Sequence, residues 1–169
     1  MKAKTHLLVL AVILLIPVSV LFGQKKATPD SVKTAKGVLK IEDDTKTIDN
    51  SPVEFKSLSL DKKLVFRRVN TEGEFVSIEN YFPRKNPNLI VFFVGAEAVS
   101  CIGQFFIVDV SGRKPIITER FGNCSNNPQI TARNQTLTVT FPPGIAADYY
   151  KAGNKEIWRY SNGKLKQIL

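Results

Sequence analysis

The residues best suited to chemistry in this chain are carboxylates. Glu97, Asp109 and Glu119 lie in or beside its most apolar segments, where burial raises a carboxyl pKa and equips it for general acid or base work. A pair of such groups is all that glycoside hydrolysis requires. A purely structural role fits the same three residues better. Glu97 stands in a loop of glycine and alanine, and Asp109 and Glu119 suit strand positions facing solvent or pairing with Arg113 and Arg120.

Other catalytic chemistries are missing their parts. The one histidine is His6, within the first 23 residues, so a product lacking that segment has no Ser-His-Asp or Cys-His machinery, no HExxH zinc site and no imidazole shuttle. The chain contains no GxxxxGK[ST] loop, no GxGxxG and no DxDxDG loop, the patterns that nucleotide and EF-hand calcium sites need. No cofactor is expected.

Residues 1–23 read as an export segment. Lys2 and Lys4 precede an apolar run over residues 7–22, interrupted only by Pro17 and Ser19, which is the layout of a signal peptide. Cleavage after Gly23 leaves Gln24 as the new N-terminus. If uncleaved, the same run acts as a membrane anchor with the domain outside the cytoplasm, although it is shorter than the roughly 20 residues that span a bilayer comfortably. The chain carries a net charge of +9, and loss of Lys2 and Lys4 lowers this to +7. Export to the periplasm or medium removes nucleic acid from the expected partners and leaves another protein or anionic envelope material. Dispersed lysines also serve solubility alone.

Cys101 and Cys124 are the only cysteines. In an oxidising compartment they are expected to form a disulfide across a predicted hairpin, closing a loop of about two dozen residues and contributing about 3 kcal/mol. Their spacing is not that of a CxxC redox or metal pair.

The elements that would carry these residues are strands. Residues 24–51 are rich in Lys, Thr and Asp and read as a flexible tether, with residues 37–41 able to add an edge strand. From residue 52 to 169 the pattern is that of one all-β domain. Strands are expected at 53–60, 64–69, 75–80, 89–94, 105–110, 116–121, 130–133, 137–141, 157–160 and 165–168, in an antiparallel meander forming a sandwich or an open barrel. Residues 89–94 are apolar without interruption, and Phe105, Phe106, Ile107, Val108 and Val110 make a second run, as strands buried on both faces do. Residues 136–141 alternate, which puts Leu137, Val139 and Phe141 inward and three threonines outward. Asn162-Gly163 marks a type I′ hairpin turn, and residues 145–152 have room for a turn or two of helix. Tyr149, Tyr150, Lys151, Lys155 and Arg159 combine aromatic and basic groups near the C-terminus, as binding faces do. Trp158 and Tyr160 share the core side of their strand, leaving Arg159 outside.

The segments SCIGQFFIVDVSG at 100–112, FGNC at 121–124, TLTVTFP at 136–142 and IWRYSNGKL at 157–165 together resemble a family of small exported bacterial β-rich proteins of unassigned activity. The resemblance implies fold and export but supplies no catalytic residues. Similar small disulfide-bonded β domains include envelope inhibitors and immunity proteins. The function expected from the sequence is therefore a non-enzymatic exported binding protein, such as an inhibitor or toxin-neutralising protein. The alternatives are a carboxylate hydrolase of envelope glycans and a membrane-anchored structural subunit.

Protein recovered from the envelope should begin at Gln24, and its non-reduced digest should contain peptides joined through Cys101 and Cys124. N-terminal sequencing with mass spectrometry checks both. A full-length chain in the membrane would reject cleavage, and free thiols would reject the bridge.

Overall fold

Strand β6 (Leu89–Ala96) carries a side chain for each of two cores. Its odd positions Leu89 and Val91 pack with Phe105 and Ile107 of β7 (Gly103–Asp109), while Ile90, Phe92 and Val94 pack on the other side with Phe106, Val108 and Val110. The β6–β7 register pairs Val91 with Ile107 and Phe92 with Phe106, so same-face neighbours meet directly. The Phe92 and Phe106 rings stack with centroids 4.8 Å apart. The two continuous apolar runs of the sequence are thus the inside of a three-layer structure.

The computed structural model describes residues 29–96, 103–143 and 154–169. Among these the secondary structure is all β: three antiparallel sheets, each a meander of four consecutive strands and none closed into a barrel. Sheet A contains β1 (Ser31–Thr34), β2 (Gly37–Ile48), β3 (Ser51–Leu60) and β4 (Lys63–Phe66). Sheet B contains β5 (Glu74–Phe82), β6, β7 and β8 (Ile116–Ile117). Sheet C contains β9 (Gln129–Arg133), β10 (Thr136–Phe141), β11 (Glu156–Ser161) and β12 (Lys164–Gln167). Sheet B lies in the middle. Val32, Leu39, Ile41 and Leu58 of sheet A cover one of its faces. Leu137, Val139, Phe141 and Tyr160 of sheet C, with Phe121, cover the other.

Residues 31–48 are two strands where a tether was expected. Few apolar side chains are needed there, because only alternate positions face inward: Val32, Leu39 and Ile41 are buried while Lys33 and Lys40 point to water. From Leu39 to Ile48 β2 is held by ten antiparallel pairs with β3, and the outermost strand is β1, so β2 is internal and not an edge. The expected strand over 116–121 is also interrupted. The Thr118 hydroxyl accepts the Ile107 N–H at 3.0 Å in place of a backbone carbonyl. The Thr118 N–H still donates to the Ile107 carbonyl at 3.0 Å, after which the chain leaves the ladder and pairs again at Phe121, opposite Phe105. The signal segment, the tether start through residue 28 and the expected helical turn at 145–152 lie outside the described residues.

The passage from sheet A to sheet B is pinned by polar groups. Asn70, 5% exposed, accepts the Lys56 N–H and donates to the Glu74 and Thr71 carbonyls. Arg120 donates two parallel bonds of 2.9 Å to the Glu74 carboxylate and a third of 3.0 Å to the Val69 carbonyl. On the sheet C side Gly122 has φ +116°, and a Cβ there would lie 3.0 Å from the Phe141 ring, so only glycine fits without displacement.

Phe106→Ala removes a ring that is 1% exposed in the core between sheets A and B and should cost about 3–5 kcal/mol, as Phe-to-Ala changes in tight cores do. Equilibrium urea unfolding measures it.

Candidate binding surface

In a meander, alternate turns fall at the same end. The turns β1–β2 (Ala35, Lys36) and β3–β4 (Asp61, Lys62), the connections β5–β6 (residues 83–88) and β7–β8 (residues 110–115), and the turns β9–β10 (Asn134, Gln135) and β11–β12 (Asn162, Gly163) are the six joins of this kind. The packing brings all six to one end of the stack. Ala35 N–H donates to the Pro87 carbonyl at 3.2 Å, and Val110 N–H donates to the Asn88 carbonyl at 2.8 Å. A cleft of about 290 Å³ opens between sheets B and C, lined by Phe82, Pro83, Asn88 and Leu89 on one side and by residues 132–135 on the other. A second hollow of about 200 Å³ continues it past Asp109, Ser111, Asn162 and Gly163.

This end is basic. The joins themselves carry Lys36, Lys62, Arg84, Lys85, Arg113 and Lys114, all exposed, and the flanking strand ends add Lys63, Arg133 and Lys164. The only carboxylates there are already occupied. Asp61 Oδ1 accepts the Val38 N–H at 2.8 Å. Asp109 is 8% exposed, and its two oxygens accept the Tyr160 hydroxyl and the Ser111 N–H, each at 2.8 Å. Among the described residues no ion pair includes a cation of these joins. The pairs lie elsewhere: Lys56 with Asp43, Arg67 and Arg68 with Asp44, Lys40 with Glu42, and Arg120 with Glu74. Arg84 rests on the Tyr81 and Phe82 rings, 5.1 and 5.9 Å from their centroids, which holds its guanidinium at the rim of the cleft.

The outward face of sheet C continues this basic surface. Arg133, Thr136, Ser161 and Lys164 form one row across the four strands, and Thr131, Thr138, Arg159 and Lys166 form the next. The β10 threonines are half-buried and the four cations exposed. Neither row contains a carboxylate or an aromatic residue. Trp158 and Tyr160 face the core, where Trp158 packs 5.4 Å from Phe121 and its indole N–H donates to Glu156 at 2.7 Å.

The residues singled out in the sequence are scattered with respect to this surface. Arg159 lies on it, and Lys155 is exposed just ahead of β11. Tyr149, Tyr150, Lys151, Glu97 and Cys101 lie outside the described residues. Cys124 follows Asn123, whose amide donates to the Pro142 and Asn154 carbonyls at 2.7 Å each, drawing together the two ends of the β10–β11 connection. Of the two described candidate carboxylates, Asp109 is committed to Tyr160 and the Ser111 turn, while Glu119 is exposed on the segment between β8 and Phe121. Arg120 pairs with Glu74 and not with the neighbours expected of it. Sequence reasoning missed the turn cations, and their signal was parity: Lys36, Lys62, Arg84-Lys85 and Arg113-Lys114 occupy alternate turns of consecutive meanders.

Two groups have shifted acidities. Burial pushes the Tyr160 phenol above its ordinary range, and the adjacent Asp109 carboxylate adds to the effect, so the phenol stays protonated as a donor. For Glu74 burial acts upward, but the Arg120 fork and the bonds at Thr71 outweigh it and hold the carboxyl below its ordinary 4.5. A lowered folded-state pKa contributes stability that is complete above the unfolded value and disappears as pH falls through the folded one. Glu74→Gln should therefore lower stability at neutral pH and flatten its decline below about pH 4.5, as read by urea melts across pH.

The chain matches no family model, no curated protein and no solved structure.

Proposed function

We propose that this is an exported, non-enzymatic binding protein that docks an acidic protein partner on its basic end, acting there as an inhibitor or toxin-neutralising protein of the cell envelope. The observation that carries this reading is the excess positive charge of the converging joins, four of which carry cations. A three-layer core holds short turns whose cations form no ion pair with a described residue, and such an end speeds encounter with an acidic surface and orients it. The cleft between sheets B and C, lined by Phe82, Leu89 and Arg133 with Arg84 over the Phe82 ring, offers the apolar centre and polar margin of a protein-docking site.

Export through residues 1–23 belongs to the same proposal, as does the resemblance to small exported β proteins. So does a Cys101–Cys124 bridge, for which the support is that no free cysteine is present among the described residues.

Arg84→Glu combined with Arg113→Glu reverses two exposed charges without touching the core. Tagged wild-type protein should capture an acidic protein from the envelope fraction, and the double variant should lose it while melting at the same temperature. Capture of the same species by both forms would overturn the reading. A captured partner that binds wild type and variant with equal association rates at low salt would do so as well.

A further inference from the structure

The outer face of sheet C has a chemistry that the protein-docking role of the basic end does not use. It is interleaved with hydroxyls, and its cations stand on both sides of a threonine ladder: Arg133 on β9, Thr136 and Thr138 on β10, Arg159 on β11, Lys164 and Lys166 on β12. Neighbouring strands lie about 4.8 Å apart and alternate residues along a strand about 6.8 Å apart. Oxyanions held on the β9 side and on the β11–β12 side would therefore be about 12 to 16 Å apart, with hydroxyl donors and acceptors between them. None of the four cations is in an ion pair with a described residue, so binding an anion there breaks no existing salt bridge.

We propose that this face binds a linear anionic polymer with a polyhydroxylated backbone, namely an envelope glycan or polyol chain bearing carboxylate or phosphate groups. Three features select that class. Exposed guanidinium and ammonium groups on adjacent strands match oxyanions spaced along a chain. Thr and Ser hydroxyls between them both donate and accept, as sugar or polyol hydroxyls require. Among the described residues the two rows present no aromatic platform on which bases would stack, because Trp158 and Tyr160 point inward. The inference goes beyond the docking of a protein on the turns, and the two share only Arg133 and Lys164 at the margin.

The test is titration calorimetry on the full chain with four probes matched in charge: oligogalacturonate, oligo(glycerol phosphate), poly-glutamate and a single-stranded oligonucleotide. One or both of the first two should bind, and which of them binds tighter separates a carboxylate source from a phosphate source. Poly-glutamate and the oligonucleotide should bind about ten-fold more weakly, since they offer charge without the hydroxylated backbone. Arg159→Gln with Lys166→Gln should weaken the polymer about ten-fold, each exposed charge contributing under 1 kcal/mol. Arg84→Glu with Arg113→Glu should leave it within about two-fold by the same arithmetic. Equal binding of all four probes would overturn the proposal, as would methyl-esterified oligogalacturonate binding as well as the acid. An Arg159→Gln, Lys166→Gln protein with a wild-type melt and wild-type affinity would also end it. Loss of polymer binding only in the Arg84 and Arg113 variant would assign the polymer to the turns and leave the sheet face without a role. Loss of protein capture in that variant, with polymer binding intact, separates the two surfaces.

Discussion

The whole arrangement depends on burying both faces of one sheet. Strands β6 and β7 have no solvent side, so sheet B is stable only while sheets A and C cover it. Each outer sheet needs only one apolar face in return, and its strands can be as polar outside as Lys33, Lys40 or Arg159. At roughly 25 cal/mol per Å² of apolar surface removed from water, the Phe and Ile rows of β6 and β7 are the dominant favourable contribution that order in the outer sheets must rest on. Polar contacts then fix positions. Asn70 and the Glu74–Arg120 fork set the passage from A to B, and Asp109 with Tyr160 ties the end of β7 to β11.

The central strands, the threonine alternation of β10 and the Asn162-Gly163 turn were legible in the sequence because each is a local signal of period two or of turn chemistry. The first sheet was not. Val32, Leu39 and Ile41 are too few to raise the average of a Lys- and Asp-rich stretch, and what orders β2 is its ladder with β3, a non-local partner that composition does not reveal. Thr118 broke the expected 116–121 strand by substituting its hydroxyl for a carbonyl, which pattern reading counts as an ordinary β residue. The candidate surface was hidden for a related reason. Its cations are separated by some 20 to 30 positions and converge only once the number of strands between them is known. The carboxylates drew attention through their apolar neighbours, yet apolar surroundings can just as well mark a structural anchor, and Asp109 is one.

An aromatic series runs through the second core. Phe93 lies 5.2 Å from Phe105, Phe105 lies 5.3 Å from Phe141, Phe141 lies 5.9 Å from Phe121, and Phe121 meets Trp158. The tilted and edge-on geometries are those that ring quadrupoles prefer. A small side chain is needed where this series crowds the backbone: a Cβ on Gly103 would fall within the Phe93 ring. The core between B and C is therefore built from large rigid parts, and it holds the turns on either side of the cleft in fixed relation.

An open stack of three sheets has six outermost strands, and each is a template on which another chain could add a strand. Five of them are short: β1, β4 and β12 have four residues, β9 has five and β8 only two. The long one, β5, is broken by an irregularity between Ile78 and Asn80. Lys33, Lys63, Arg133, Lys164 and Lys166 lie along these margins, where a charge has to be desolvated before a new strand can pair. The positive charge of this chain thus also works against self-assembly, keeping three unclosed sheets from growing into a fibre at high local concentration.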